Sequence, residues 1–289
     1  MSYRRRASSL HAAAAGAALA WCAALGLAAI IQSSPVVLGA LALAVLGAGA
    51  LAGVWRELRP ALWLALTLAL TVCVINALLT RDGLTVIWRF GDLPILGQTN
   101  VTLEATVYGA VLGLRAATLV LLGALYSLAV DPDQVLTLFR RWSFRSALSA
   151  TIATRMIPVL IRDSKRLADA QRCRPGAAPG RLQLMRATTS GVLDRALDVA
   201  AALEVRGYAT AVPAPRCGRR PSSRHDIAFS LSAAGMVLIS VTARIAGWSG
   251  FTAYPQLRAP AGARELAAAL LLALVALAPF ADRRGVLRV

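Results

Sequence analysis

Two arginine–glycine endings are the places in this 289-residue chain where residue type and spacing invite a binding role. They are Cys173-Arg174-Pro175-Gly176 and Glu204-Val205-Arg206-Gly207-Tyr208, each closing a long helical stretch. A glycine past a helix's last turn accepts the left-handed conformation, and a terminal arginine gains about 0.3–1 kcal/mol from the helix dipole, so helix termination is one reading. The other is docking, because a guanidinium pairs bidentately with a carboxylate in a partner's groove. That two long helices end alike favours docking. Other chemistry is scarce. Lys165 is the single lysine and Arg166 follows it, so the phosphate-binding pattern G-x-x-x-x-G-K-[ST] is absent. Two histidines, His11 and His225, exclude an H-E-x-x-H site or a histidine-built zinc site. Cys22, Cys73, Cys173 and Cys217 show no C-x-x-C spacing, so neither a metal knuckle nor a disulfide framework is indicated. The chain reads as non-catalytic and free of cofactors.

The elements that must position these endings are mostly membrane helices. Hydrophobic residues make up 57% of the chain, charged residues 16%, and the mean hydropathy is +0.62, beyond what a water-soluble core needs. Six stretches have roughly the 20 apolar residues a bilayer crossing requires: about 10–31, 36–54, 60–79, 105–130, 227–247 and 264–281. Pro35 and Pro60 are expected at helix starts, and the polar segment 81–103 reads as a structured external loop. The first stretch follows Arg4-Arg5-Arg6 and is too long for the roughly 7–15-residue core of a secretory signal, which favours a retained span. These spans predict an all-α polytopic membrane protein. Residues 1–130 supply four spans, 131–225 a cytoplasmic insert, and 226–289 two further spans.

Cytoplasmic segments carry the excess of Lys and Arg. With both termini inside, the inner segments hold 25 basic residues; the outer ones hold Arg81, Arg89, Arg258 and Arg264. The spans lack the deep carboxylates or histidines that mark ion-driven carriers and intramembrane proteases. Arg115 is the charge nearest mid-membrane, with a helix-pairing role or a place on a transport path as its two readings. Gly109 and Gly113 sit four apart in the same span, a spacing that suits close helix packing.

The insert holds 17 basic and 7 acidic side chains. Asp131-Pro132-Asp133 predicts a short helix to about Trp142, with a capping Asp and a first-turn proline. A second helix is expected from about Ser146 to Arg174, kinked at Pro158. A third, from about Gly180 to Arg206, spaces Leu182, Met185, Thr189, Val192, Ala196, Val199 and Leu203 by threes and fours, a narrow seam for one partner helix. Arg181, Arg186, Asp194, Arg195 and Asp198 fall on its other faces.

At these residues the chain resembles the transmembrane T components (EcfT, CbiQ-like) of energy-coupling factor ABC transporters. The resemblance spans about residues 105–210 and is densest at Tyr108-Gly109 through Gly113-Leu114-Arg115, Asp131-Pro132, Arg155-Met156-Ile157-Pro158, Ala170 to Arg174, and Ala202 to Tyr208. The last two segments are similar to the family's paired Ala-Arg-Gly signatures. Cys173 stands at the first motif's alanine, Pro175 precedes Gly176, and Val205 stands at the second motif's alanine. The resemblance implies coupling helices whose terminal arginines, Arg206 and Arg174 or its neighbour Arg172, dock into two cytosolic ABC ATPase subunits. Gly176, Gly207 and Glu204 would shape those ends, and the seam of Leu182, Met185, Val192 and Leu203 would pass the movement on. It further implies a membrane-embedded substrate-binding S component, uptake of a vitamin or transition-metal ion, and residence in the cytoplasmic (inner) membrane. The residues leave open a rival, a non-transport membrane protein whose basic insert binds anionic lipid or a signalling partner. A nucleic-acid partner is disfavoured, since the insert lacks a stacking platform.

Overall fold

The computed structural model describes residues 6, 8–79, 85–93, 97–139, 144–173, 180–207, 223–248, 251 and 262–281. The chain divides into two compact units. One comprises residues 1–131 with 222–289, the other residues 132–221.

The first unit contains a short helix α1 (Ser9–Ala12) and six apolar helices: α2 (Ala15–Ile31), α3 (Pro35–Leu51), α4 (Trp55–Leu79), α5 (Leu103–Ala129), α9 (Arg224–Ile245) and α10 (Ala263–Leu277). A 3-10 turn, Ala278–Phe280, extends α10. Four of these are long and apolar enough to cross a membrane: α4, α5, α9, and α10 with its 3-10 extension. Helices α2 and α3, with 17 residues each, are shorter; at 1.5 Å per residue each spans about 25 Å, near the lower limit for a crossing. The protein is thus a polytopic helical membrane protein, with its apolar helices where hydropathy places them.

One local expectation is corrected. Pro35 does open α3, where Ser34 caps the backbone N–H of Val37, but Pro60 lies inside α4, which begins at Trp55. As the sixth residue of α4, Pro60 lies past the first four N–H groups that lack intrahelical partners, and its missing N–H leaves the Arg56 carbonyl without its i+4 donor. The early start gains support from Glu57 in the first turn, where a carboxylate favours the dipole and pairs with Arg6, whose guanidinium also reaches the Gly53 carbonyl. Within the segment read as a structured loop, β1 (Val86–Leu93) and β2 (Gly97–Thr102) form an antiparallel hairpin. It leads directly into α5, whose Thr102 cap accepts from the Ala105 N–H. Glu104 in the first turn accepts from both the backbone N–H and the hydroxyl of Thr85.

Packing in this unit follows residue size. Helix α5 presses Gly109 and Gly113 onto the backbone of α4 so closely that a Cβ on Gly113 would lie 2.5 Å from the Ala69 carbonyl oxygen. A Cβ on Gly109 would lie 2.9 Å from that of Cys73. Small residues let membrane helices approach to backbone contact, and van der Waals packing then replaces the hydrophobic drive that lipid cannot supply. The rest of α4 turns outward: Trp63, Leu66, Leu70 and Leu79 are exposed. Elsewhere the core is aromatic. Trp21 is fully buried and meets Phe229 and Phe280 edge-on, with centroids 5.8 and 5.7 Å away, while its indole N–H donates to the Ala276 carbonyl at 3.2 Å. This ties α2, α9 and α10 together. At the turn between α2 and α3, the buried Gln32 amide donates to the Ser240 carbonyl of α9 at 3.1 Å, and the Ser34 hydroxyl bonds the buried Glu265 of α10.

The second unit holds α6 (Pro132–Phe139), α7 (Phe144–Arg172) and α8 (Arg181–Val205). These are the three insert helices read from the sequence, with ends shifted by a few residues. Pro132 opens α6, and Pro158 lies within an α7 that runs through it unbroken.

Candidate coupling helices and their docking ends

Helix α8 ends where its sequence says it should. Arg206 is the capping residue; its backbone N–H donates to the Ala202 carbonyl at 3.2 Å, and the Gly207 N–H donates to the Glu204 carbonyl at 2.8 Å. Gly207 has φ +74°, the left-handed conformation that a side chain resists and glycine accepts. This sharp stop leaves the end projecting: Glu204 and Arg206 are exposed, and Val205 is 90% exposed. Helix termination and docking are therefore compatible, because the glycine that stops the helix also presents the arginine. Tyr208 lies outside the described residues.

The other end is described only in part. Arg172 is the last residue of α7, exposed, and its guanidinium reaches Asp169 one turn back at 3.4 Å. Cys173 follows in a turn, exposed, its N–H donating to the Asp169 carbonyl. Arg174, Pro175 and Gly176 lie outside the described residues.

Helices α7 and α8 face each other across an open groove of about 760 Å³, lined by residues within 160–167 and 187–195. The side of α8 that meets α7 is only partly the apolar seam. Val192, Val199 and Leu203 are half-buried, whereas Leu182 and Met185 are about two-thirds exposed and Thr189 and Ala196 are exposed. Ala187, Thr188 and Arg195 share the half-buried side instead. Arg195, expected on another face, donates to Asp163 of α7 at 2.6 Å. This charge-assisted bond places Arg195 on the side of α8 that meets α7. Sequence periodicity missed this pair, since Asp163 and Arg195 stand 32 positions apart with nothing local to join them.

In the membrane unit, Arg115 finds a partner. Its guanidinium donates at 2.9 Å to the carbonyl of Gln32, the residue capping the C-terminus of α2. Cations favour such an end, where carbonyls lack intrahelical partners.

The family model described as CbiQ, cobalt transport protein, matches residues 6–215. The chain belongs to this family. The match takes in α1 to α8, both arginine-bearing ends and Arg115, and stops before α9. Among curated proteins none matches the chain. Membership in the CbiQ family agrees with the resemblance to T components and makes the chain a membrane component of a transport system. Components of the CbiQ family are generally non-catalytic.

Proposed function

We propose that this chain is the transmembrane energy-coupling subunit of an ECF-type ABC importer. In this reading it sits in the cytoplasmic membrane with both termini inside and joins two cytosolic ABC ATPases to a membrane-embedded S component. ATP is hydrolysed by the partners, since no phosphate-binding loop exists in this sequence. The cargo is a vitamin or a transition-metal ion, and the description of the CbiQ family favours cobalt.

The observation that carries the reading is the end of α8. An exposed arginine stands beside a 90% exposed valine, held out by a glycine in the left-handed conformation, and no side chain among the described residues pairs with its guanidinium. An apolar knob next to an unpaired guanidinium suits a groove with a hydrophobic floor and a carboxylate at its rim. In this reading Arg172, the last residue of α7, belongs to the corresponding end, with Arg174 and Gly176, outside the described residues, as its further candidates. Nucleotide-driven movement of the ATPases would shift the two ends, and the helices would carry that movement to the membrane unit.

The test is co-purification from nanodiscs with the ATPase subunits of the source organism. Wild type should retain them, and Arg206→Glu should lose at least nine-tenths of the bound ATPase while remaining inserted and monodisperse. The corresponding reversals at Arg172 and Arg174 would rank the contacts of the other end. Failure of wild type to hold any ATPase would refute the proposal and turn attention to binding of anionic lipid by the basic insert.

A further inference from the structure

The contact between α7 and α8 is thin. The groove beside it is lined by Leu160, Ile161, Leu167 and Val192, yet Ile161 remains about half exposed. At Gly191, which also lines the groove, an added Cβ would meet nothing within 4 Å, so the backbone of α8 is not pressed against a neighbour there. Loose apolar contact of this kind sets neither the angle nor the register of two helices, because neither ridge is locked into a groove.

What does supply direction is the Asp163–Arg195 pair. Its 2.6 Å bond joins the two helices, and both side chains are partly withdrawn from solvent, 31% and 40% exposed. Both ions thereby gain more from each other than a fully solvated pair would. By contrast, the Arg172–Asp169 pair lies within α7 and is 81% and 71% exposed, so it ties nothing across.

Position along the helices adds the second observation. At 1.5 Å per residue, Arg195 stands about 16 Å from Arg206 along α8, and Asp163 about 14 Å from Arg172 along α7. The bond thus falls at nearly equal distance from the two arginine-bearing ends. A directional tie between two loosely packed rods, with arms of matched length, fixes their register midway between the two ends.

We infer that Asp163 and Arg195 are positioning residues for energy coupling: their ion pair pins α7 to α8 and holds the two arginine-bearing ends at a set separation. The inference rests on the coupling reading for its purpose, while the pinning itself does not depend on any ATPase. Neither residue touches cargo or nucleotide; both act through the ends they space.

The experiment has two arms in nanodiscs. For the first, spin labels are placed on the exposed Cys173 and on Val205→Cys, with Cys22, Cys73 and Cys217 replaced by alanine, and the distance distribution is measured by pulsed electron resonance. Wild type should give one narrow distance. Asp163→Arg or Arg195→Asp should widen it at least twofold, and the combined exchange should narrow it again. In the second arm, ATPase co-purification and ATP-driven uptake are measured on the same variants without labels. Single reversals should keep ATPase bound yet lose about tenfold in uptake, the exchange should recover most of it, and the conservative Asp163→Glu should stay near wild type. Unchanged distances in the single reversals, or an exchange that restores neither width nor uptake, would overturn the inference. So would full uptake despite a widened distribution. Should wild type bind no ATPase, the coupling reading fails, while the labelled pair still decides the pin.

Discussion

Substituting Gly113 by alanine adds one methyl group at the tightest point in the membrane unit, and the consequence can be worked from distances. The new Cβ would lie 2.5 Å from the carbonyl oxygen of Ala69 and 3.1 Å from both its carbonyl carbon and its Cα. Ordinary contact begins near 3.4 Å, so α4 must withdraw by about 1 Å or α5 must turn. Every obstructing atom is backbone, and no rotamer change relieves the clash. Overpacking of this kind costs about 1–3 kcal/mol. Replacing a helical glycine also restricts the unfolded chain, a stabilisation of roughly 0.5–1 kcal/mol that would blur the result if read alone. Gly123 provides the control: it lies in the same helix, and an added Cβ there meets nothing within 4 Å. The difference between Gly113→Ala and Gly123→Ala cancels the backbone contribution. On the scale of chains of 150–250 residues, Gly113→Ala should melt roughly 2–12 °C below Gly123→Ala. The assay is fluorescence-detected size exclusion after heating in a fixed detergent. Equal melting of the two variants would refute direct backbone contact between α4 and α5.

Trp21→Ala should cost about 3–5 kcal/mol, since it removes a fully buried ring with two edge-on aromatic partners, and should show as lost monodispersity or lower expression in the membrane. Gly207→Val forces a branched side chain to φ +74°, so the last turn of α8 should fray, read as faster amide exchange over residues 202–206, whereas Gly207→Asn should stay near wild type. Loss of ATPase from Arg206→Glu and the exchange experiment on Asp163 and Arg195 complete the set.

Much of this architecture was legible in the sequence because it rests on local physics. Apolar stretches of bilayer length announce the membrane helices, and Asp131-Pro132-Asp133 and Arg206-Gly207 announce the start of α6 and the stop of α8. The small residues Gly109 and Gly113 also announced a close approach, although their partner on α4 was not readable. What escaped was long-range. Pro60 looked like a helix start because proline favours first turns, but the extra turn before it is anchored by Arg6, about fifty residues earlier in the chain. The apolar seam of α8 obeyed its period, yet periodicity cannot tell which of two possible faces a neighbour will choose. The face turned to α7 carries Arg195, bonded to Asp163. Similarly, Gln32-Ser33-Ser34-Pro35 was readable as a break between spans. That Gln32 would be wholly buried, joining α5 through Arg115 and α9 through Ser240, follows only from the three-dimensional fold.

The exposed side chains of the second unit carry the functional argument one step further. Leu182, Met185, Leu193 and Leu197 of α8 and Ile157 and Ile161 of α7 are all more than half exposed, in a segment otherwise rich in arginine. A unit evolved to stand in water by itself would place polar side chains there, because each exposed branched residue forgoes about 1.5–3 kcal/mol of burial. The membrane unit exposes apolar residues for a different reason, since lipid is its solvent and Trp63 or Leu70 lose nothing by facing it. The same outward leucine therefore means solvation in one unit and an unmet contact in the other. In the second unit these exposed side chains accompany Arg206, whose guanidinium no side chain among the described residues pairs, and both features are what the proposed coupling role asks of this unit.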